Sequence, residues 1–141
     1  MRSLQFLFLA VTASVCVAAD AGRIDIKIIA NPSVRASEIS RDDLNRIFLM
    51  TKSSLGATEH VEPVLEKGGA AYEMFLKSYI GRTDSALMTY YRSLVFTGKA
   101  SIPKSFASDS DVALYVAKTK GAIGYVTSDA KTPGLKTLEV R

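Results

Sequence analysis

The chain has 141 residues and a formal charge of +4, from 18 basic and 14 acidic residues. This length suits one domain with a hydrophobic core. The basic residues are spread along the chain and form no stripe, which argues against nucleic-acid binding. The charge is compatible with a modest preference for small anions.

Residues 1–19 have the layout of a secretory signal peptide. Arg2 supplies a positive start, residues 4–17 are apolar, and small residues precede a cleavage site after Ala19. Cleavage after Ala21 is the alternative. A membrane anchor ranks second, because the apolar stretch is shorter than the roughly 20 residues that a spanning helix needs.

A lipoprotein is disfavoured, because Val15 precedes Cys16 where a lipobox has a small residue. Cleavage after Ala19 removes this cysteine and leaves about 120 residues without disulfide or thiolate chemistry. The sequence therefore predicts a periplasmic or secreted protein with one domain over residues 20–141.

The first predicted elements are a strand and a helix. Residues 23–29 alternate between apolar and polar, which predicts a strand with one buried face. Ser40 with Asp43 forms a capping box that starts a helix. The apolar face of this helix comprises Leu44, Ile47 and Phe48.

The rest of the chain continues the mixture of strands and helices. Residues 61–65 predict a second strand, which Pro63 makes short or places at a sheet edge. Three helices follow, one opened by Gly68-Gly69, one capped by Thr83 and one capped by Ser108. Strands are predicted at 122–126 and 135–140. The order β-α-β-α-α-α-β-β predicts an α/β domain, a sheet flanked by helices.

Two glycines before a helix form a candidate anion site. Free N–H groups at a helix start favour a small oxyanion, and Gly68 and Gly69 provide such a start, although they also suit a tight strand-to-helix turn. Lys67 adds a positive charge, whereas Glu66 is expected to repel an anion. The hydroxyls of Ser53 and Ser54 are candidates to line the same end of the sheet, and an ordinary solvated loop is the favoured alternative.

Catalytic and metal sites have little support. His60 is the single histidine and is expected at the surface, and no nucleophile motif such as Gly-x-Ser-x-Gly occurs. Most carboxylates fall in first turns of predicted helices, where the helix dipole explains them. The sequence therefore predicts a protein that is not an enzyme and holds neither metal nor cofactor.

An ordered set of segments resembles the phosphate-binding proteins of phosphate ABC transporters. The segments lie over residues 26–128, and they are 40–44 (SRDDL), 47–48 (IF), Phe75, Tyr91, 96–99 (FTGK), Pro103 and 121–126 (GAIGYV). Family members have two α/β lobes and a hinge; this chain resembles one lobe, in a small single-lobe form. The resemblance implies binding of phosphate or a similar small oxyanion, with a membrane transporter as partner.

The resemblance also implies where a ligand binds. In the family, an Arg and a Ser-Gly-Thr turn hold phosphate before the helix that contains the counterpart of Phe75. Here residues 66–70 read EKGGA, so Lys67, Gly68, Gly69 and Ala70 are the implied ligand-binding residues and the turn hydroxyls are absent. A ligand-free module that contacts a membrane sensor or transporter is the alternative. The sequence leaves the oligomeric state open.

Overall fold

The computed structural model describes residues 24–141. The predicted signal peptide, both cleavage positions and Cys16 lie outside the described residues. Among residues 24–141, no helix is long and apolar enough to span a bilayer. The elements are, in chain order, β1 (Ile26–Ala30), β2 (Glu38–Ile39), α1 (Arg41–Phe48), β3 (Glu62–Glu66), α2 (Ala70–Phe75) continued by a π-helical segment (Leu76–Ile80), α3 (Asp84–Phe96), β4 (Lys104–Phe106), α4 (Asp109–Lys118), β5 (Ala122–Thr127) and β6 (Lys136–Val140).

The six strands form one mixed sheet in the order β2-β6-β1-β5-β3-β4. β1 is antiparallel to both of its neighbours, whereas β3, β4 and β5 run parallel, as do β2 and β6. Because β5 and β6 both run antiparallel to β1, all strands except β1 run in the same direction. Their ends define what we term the carboxyl edge, formed by Glu66, Phe106, Thr127 and Val140.

Helices cover both faces of this sheet. The larger core joins α1, α2 and α3 to one face through Phe48, Phe75 and Leu87, and the smaller core joins α4 to the other face through Val112 and Val116. The predicted α/β class is confirmed. The prediction that the first strand buries only one face is wrong, because β1 is an interior strand that is covered by helices on both sides.

Three of the four helices begin with the side-chain caps that the sequence predicts. The hydroxyl of Ser40 accepts from the N–H of Asp43 at 3.1 Å, and Thr83 and Ser108 cap α3 and α4 in the same way. α2 differs, because its N-cap is Gly69 and no side chain caps it from that position. The exception places an uncapped helix start at the carboxyl edge.

Two short strands are missing from the sequence prediction. β2 has two residues and β4 has three, too few for a periodic pattern to be visible. β3 has five residues and is therefore short, which is one of the two outcomes that Pro63 predicts. It is not an edge strand, because β4 pairs with it on the outer side. The proline is tolerated there because β4 pairs only from Val64 onward, so the absent N–H precedes the shared ladder.

Candidate functional site

The turn from β3 into α2 carries the residues that the sequence predicts as ligand-binding. Gly68 has a φ of +87°, a left-handed conformation that favours glycine, and Gly69 is extended. The N–H of Lys67 donates to the carbonyl of Phe106 at 2.9 Å. Within the described residues, no acceptor satisfies the N–H groups of Gly68, Gly69 and Ala70. Three consecutive donors without acceptors therefore lie at one helix start.

Lys67 brings a positive charge to this turn, and its ammonium group interacts with two other side chains. Its Nζ lies 3.8 Å from Asp84 Oδ1 and donates to the sulfur of Met88 at 3.3 Å. Asp84 also accepts from the hydroxyl of Tyr72 at 2.6 Å, and burial, then this carboxylate, raises the pKa of Tyr72. The Asp84 side chain is 57% exposed, so water weakens its hold on Lys67.

A cleft of about 740 Å³ opens beside the turn. Ala70 and Tyr72 line it from α2, Arg82 lines it from the loop before α3, and Asp84 lines it from the first turn of α3. Ile24 also lines the cleft and precedes β1, so the cleft lies at the carboxyl edge. Open α/β sheets commonly bind ligands at this edge, where helix starts and strand ends meet.

Glu66 differs from its sequence-based expectation as a charged residue. It ends β3, only 6% of it is exposed, and the hydroxyl of Tyr125 donates to its carbonyl at 2.6 Å. Burial, then a hydrogen bond and charge from Asp109, raises the pKa of Glu66 to about 8. At neutral pH the carboxyl is therefore mostly uncharged, and the expected repulsion of an anion is largely absent.

Asp109, in the first turn of α4, is a partner of Glu66. Its carboxylate accepts from the N–H of Thr127 at 3.3 Å and from the Thr127 hydroxyl at 2.5 Å. Burial alone would raise the pKa of Asp109, but hydrogen bonds from Glu66 and Thr127 and the charge of Lys27 hold it below its ordinary value. No sequence pattern links positions 66 and 109, since only the sheet brings them together.

Ser53 and Ser54 do not join this turn. The carbonyl of Ser53 accepts from the N–H of Val61, which precedes β3, whereas Lys67 follows it. At about 3.3 Å per residue, these two ends of the strand lie roughly 20 Å apart. The placement of the serines at the same end of the sheet as the glycines is therefore wrong. α1 begins at the carboxyl edge, where the N–H of Arg41 donates to the carbonyl of Arg141. The helix then runs to the opposite edge of the sheet, so the serines that follow it lie at that opposite edge.

The histidine and the carboxylates do not form a metal site in the part of the chain that the structure describes. His60 is exposed, in agreement with its predicted surface position. Among residues 24–141, no three His, Cys, Asp or Glu side chains cluster closely enough to hold a metal ion.

The fold is similar to that of solved phosphate-transport proteins. A structure described as a phosphate ABC transporter substrate-binding protein from Clostridium perfringens, with bound phosphate, matches with a TM-score of 0.66 at 12% identity over 83% of this chain and 45% of that chain. PstS from Borrelia burgdorferi matches at 0.65 and 15% identity, over 84% and 47%. An ABC-type phosphate transport receptor from Vibrio cholerae matches at 0.56 and 13%, over 83% and 46%.

These similarities define the fold as that of a periplasmic-binding-protein-like lobe. The chain spans under half the length of each of these structures. No protein-family model matches the chain, and no curated protein is similar to it. At these low identities, the similarity establishes the architecture alone.

Proposed function

We propose that this chain is an exported binding protein that reversibly holds phosphate or a similar small oxyanion at the start of α2. The observation that carries the proposal is the uncapped N-terminus of α2, where the N–H groups of Gly68, Gly69 and Ala70 have no acceptor among the described residues. Such N–H groups, together with the helix dipole, attract small anions. Similarity of the fold to that of phosphate-transport proteins supports the class of ligand.

The charges around the turn are consistent with weak binding. Lys67 favours an anion, and Asp84 partly offsets it at 3.8 Å. Arg82 lines the adjoining cleft, but its guanidinium lies over the ring of Tyr90 at 4.7 Å. An open cleft also leaves the ligand in contact with water, which weakens each polar contact. We therefore expect reversible binding without catalysis, and delivery to or sensing by a membrane partner.

Replacing Lys67 with Ala is expected to weaken phosphate binding about 3- to 10-fold, because one partly exposed charge is lost. Equilibrium dialysis of the mature protein with labelled phosphate at low salt measures this change. Lys99→Ala is the matched control, since Lys99 is exposed in the loop after α3 and lies outside the site. Equal affinities of all three proteins would exclude Lys67 from the site.

A second proposal is a ligand-free module that docks on a membrane transporter or sensor. It is favoured by apolar side chains at the end of α3 and in the following loop, where Phe96 is 92% exposed and Val95 and Ile102 are half exposed. Large exposed apolar side chains that lie together mark interaction surfaces. A folded wild-type protein that binds no labelled phosphate at millimolar concentration would favour this proposal over the first.

A further inference from the structure

The Glu66 carboxyl is buried with one oxygen that lacks a donor. Oε2 is fully covered, and no hydrogen-bond donor reaches it from the residues that the structure describes. The backbone on either side is held because the Tyr125 hydroxyl accepts from the Glu66 N–H at 3.1 Å and donates to its carbonyl. An ionised carboxylate in this position would leave a buried charge unsatisfied, which is costly. A proton on the carboxyl removes that cost.

Asp109 supplies the acceptor for such a proton. Its carboxyl lies within hydrogen-bonding reach of Glu66, and its own oxygens accept from Thr127, so it is already stabilised as an anion. Two carboxylates in contact cannot both be ionised without strong repulsion. The pair therefore holds one proton, with Glu66 as donor and Asp109 as acceptor.

The Glu66 carboxyl also contacts the candidate anion site. Its Oε1 lies 3.1 Å from the position that a Cβ on Gly69 would occupy, so the carboxyl packs against the N-cap residue of α2. An added charge at this position would act directly on the free N–H groups of the turn.

We propose that Glu66 is a positioning residue whose proton, shared with Asp109, keeps the start of α2 receptive to an oxyanion and couples anion binding to pH. The proposal rests on the proposed function. When the proton is present, the carboxyl is neutral and the N–H groups of α2 face the ligand. When it is lost, a carboxylate beside Gly69 opposes the bound anion.

The surroundings of Glu66 define the pH range. Asp109 on α4 and Tyr125 on β5 face it directly, Lys27 on β1 acts through Asp109, and Tyr72 on α2 acts through Tyr125. Burial and then Asp109 raise the pKa of Glu66 to about 8. Glu66 is therefore mostly neutral below pH 8 and mostly ionised above it, so anion affinity is expected to fall as the pH rises through 8.

Glu66→Gln tests the coupling, because the amide remains neutral at every pH and still donates to Asp109. Phosphate dissociation constants of both proteins are measured at pH 6.5 and 9, and their ratio cancels the titration of phosphate itself. We expect the ratio of wild type to Glu66→Gln to be near 1 at pH 6.5 and to rise about tenfold at pH 9. Asp111→Asn, an exposed change in the same turn of α4 as Asp109, is expected to behave as wild type.

Urea unfolding without phosphate provides an independent measurement. The folded state of the wild type keeps a proton that the unfolded chain releases near the ordinary Glu pKa of 4.5, so stability falls as the pH rises from about 4.5 to 8. From pH 5 to 8, we expect the folding equilibrium constant of the wild type to fall about tenfold or more relative to Glu66→Gln.

The two measurements separate the ways in which the proposals can fail. Parallel stability profiles of the two proteins, or a ratio of dissociation constants that stays near 1 at pH 9, would overturn the role of Glu66. If neither protein binds phosphate at any pH, the proposed function and the coupling both fail, whereas a difference between the stability profiles would still establish the shared proton.

Discussion

Replacing Phe75 with Ala is expected to lower the free energy of unfolding by about 3–5 kcal/mol, the usual cost of removing a fully buried aromatic ring. The ring of Phe75 has no exposed surface, stacks on Tyr125 with centroids 4.0 Å apart and meets Phe48 edge-on at 4.6 Å. The truncation removes all of these contacts and leaves a cavity. Urea denaturation followed by circular dichroism measures the loss, which is large beside the 5–15 kcal/mol typical of a domain.

Phe96→Ala is the matched control, because it removes the same ring from a helix position that is 92% exposed. We expect its unfolding free energy to stay within about 0.5 kcal/mol of the wild type. A similar loss in both variants, or no loss in Phe75→Ala, would contradict the packing of α2 on the sheet. The contrast also matters for the site, since the ring of Phe75 supports Tyr125, whose hydroxyl holds the backbone of Glu66.

Replacing Gly121 with Ala is expected to destabilise the fold by about 3 kcal/mol or more, through two effects that act at one position. Gly121 has a φ of +77°, which disfavours any side chain, and a Cβ there would overlap the backbone carbonyl of His60. The residue is also held in place, since its carbonyl accepts from the Glu62 N–H at 2.8 Å and its N–H donates to the Ser33 hydroxyl at 2.9 Å.

Gly134→Ala separates the two effects. Gly134 has a similar φ of +74°, but nothing lies within 4 Å of a Cβ placed there. We expect this variant to lose only about 1 kcal/mol, the cost of the left-handed conformation. Thermal unfolding of both variants gives the comparison. Equal losses would show that the neighbouring carbonyl moves aside and that the close approach to His60 carries no cost.

Local signals predicted the helices well because their causes lie within a few residues. Ser40 and Asp43 form their capping bond as predicted, and Leu44, Ile47 and Phe48 all face the core. These features need only neighbouring residues and one apolar surface on which to pack. The segment 121–126, the most specific part of the family resemblance, supplies all but the last residue of β5 at the centre of the sheet.

Features that depend on distant parts of the chain could not be predicted in the same way. β4 forms by pairing with the outer edge of β3, and its three residues are too few to show an alternating pattern in the sequence. The two-sided burial of β1 depends on α4, which packs on the other face of the sheet and begins at Asp109, far beyond the end of β1 at Ala30.

The residues of the candidate site show the same difference between local and long-range features. The sequence placed Lys67, Gly68, Gly69 and Ala70 correctly at the start of a helix, because they are contiguous. The position predicted for Ser53 and Ser54 was wrong, because α1 carries the chain to the opposite edge of the sheet before these serines. Sequence alone predicts an ionised Glu66. The protonated form could not be predicted, because the burial and the contact with Asp109 that raise the pKa arise only from the tertiary fold.

The most direct test of the central claim is a phosphate titration of the ¹⁵N-labelled mature protein, followed through its backbone amide resonances at pH 6.5. We predict saturable shifts that are largest for the N–H groups of Gly68, Gly69 and Ala70, the donors at the start of α2 for which residues 24–141 provide no acceptor. Shifts centred elsewhere, or no shifts at millimolar phosphate from a folded protein, would contradict the assignment of this turn as an oxyanion site.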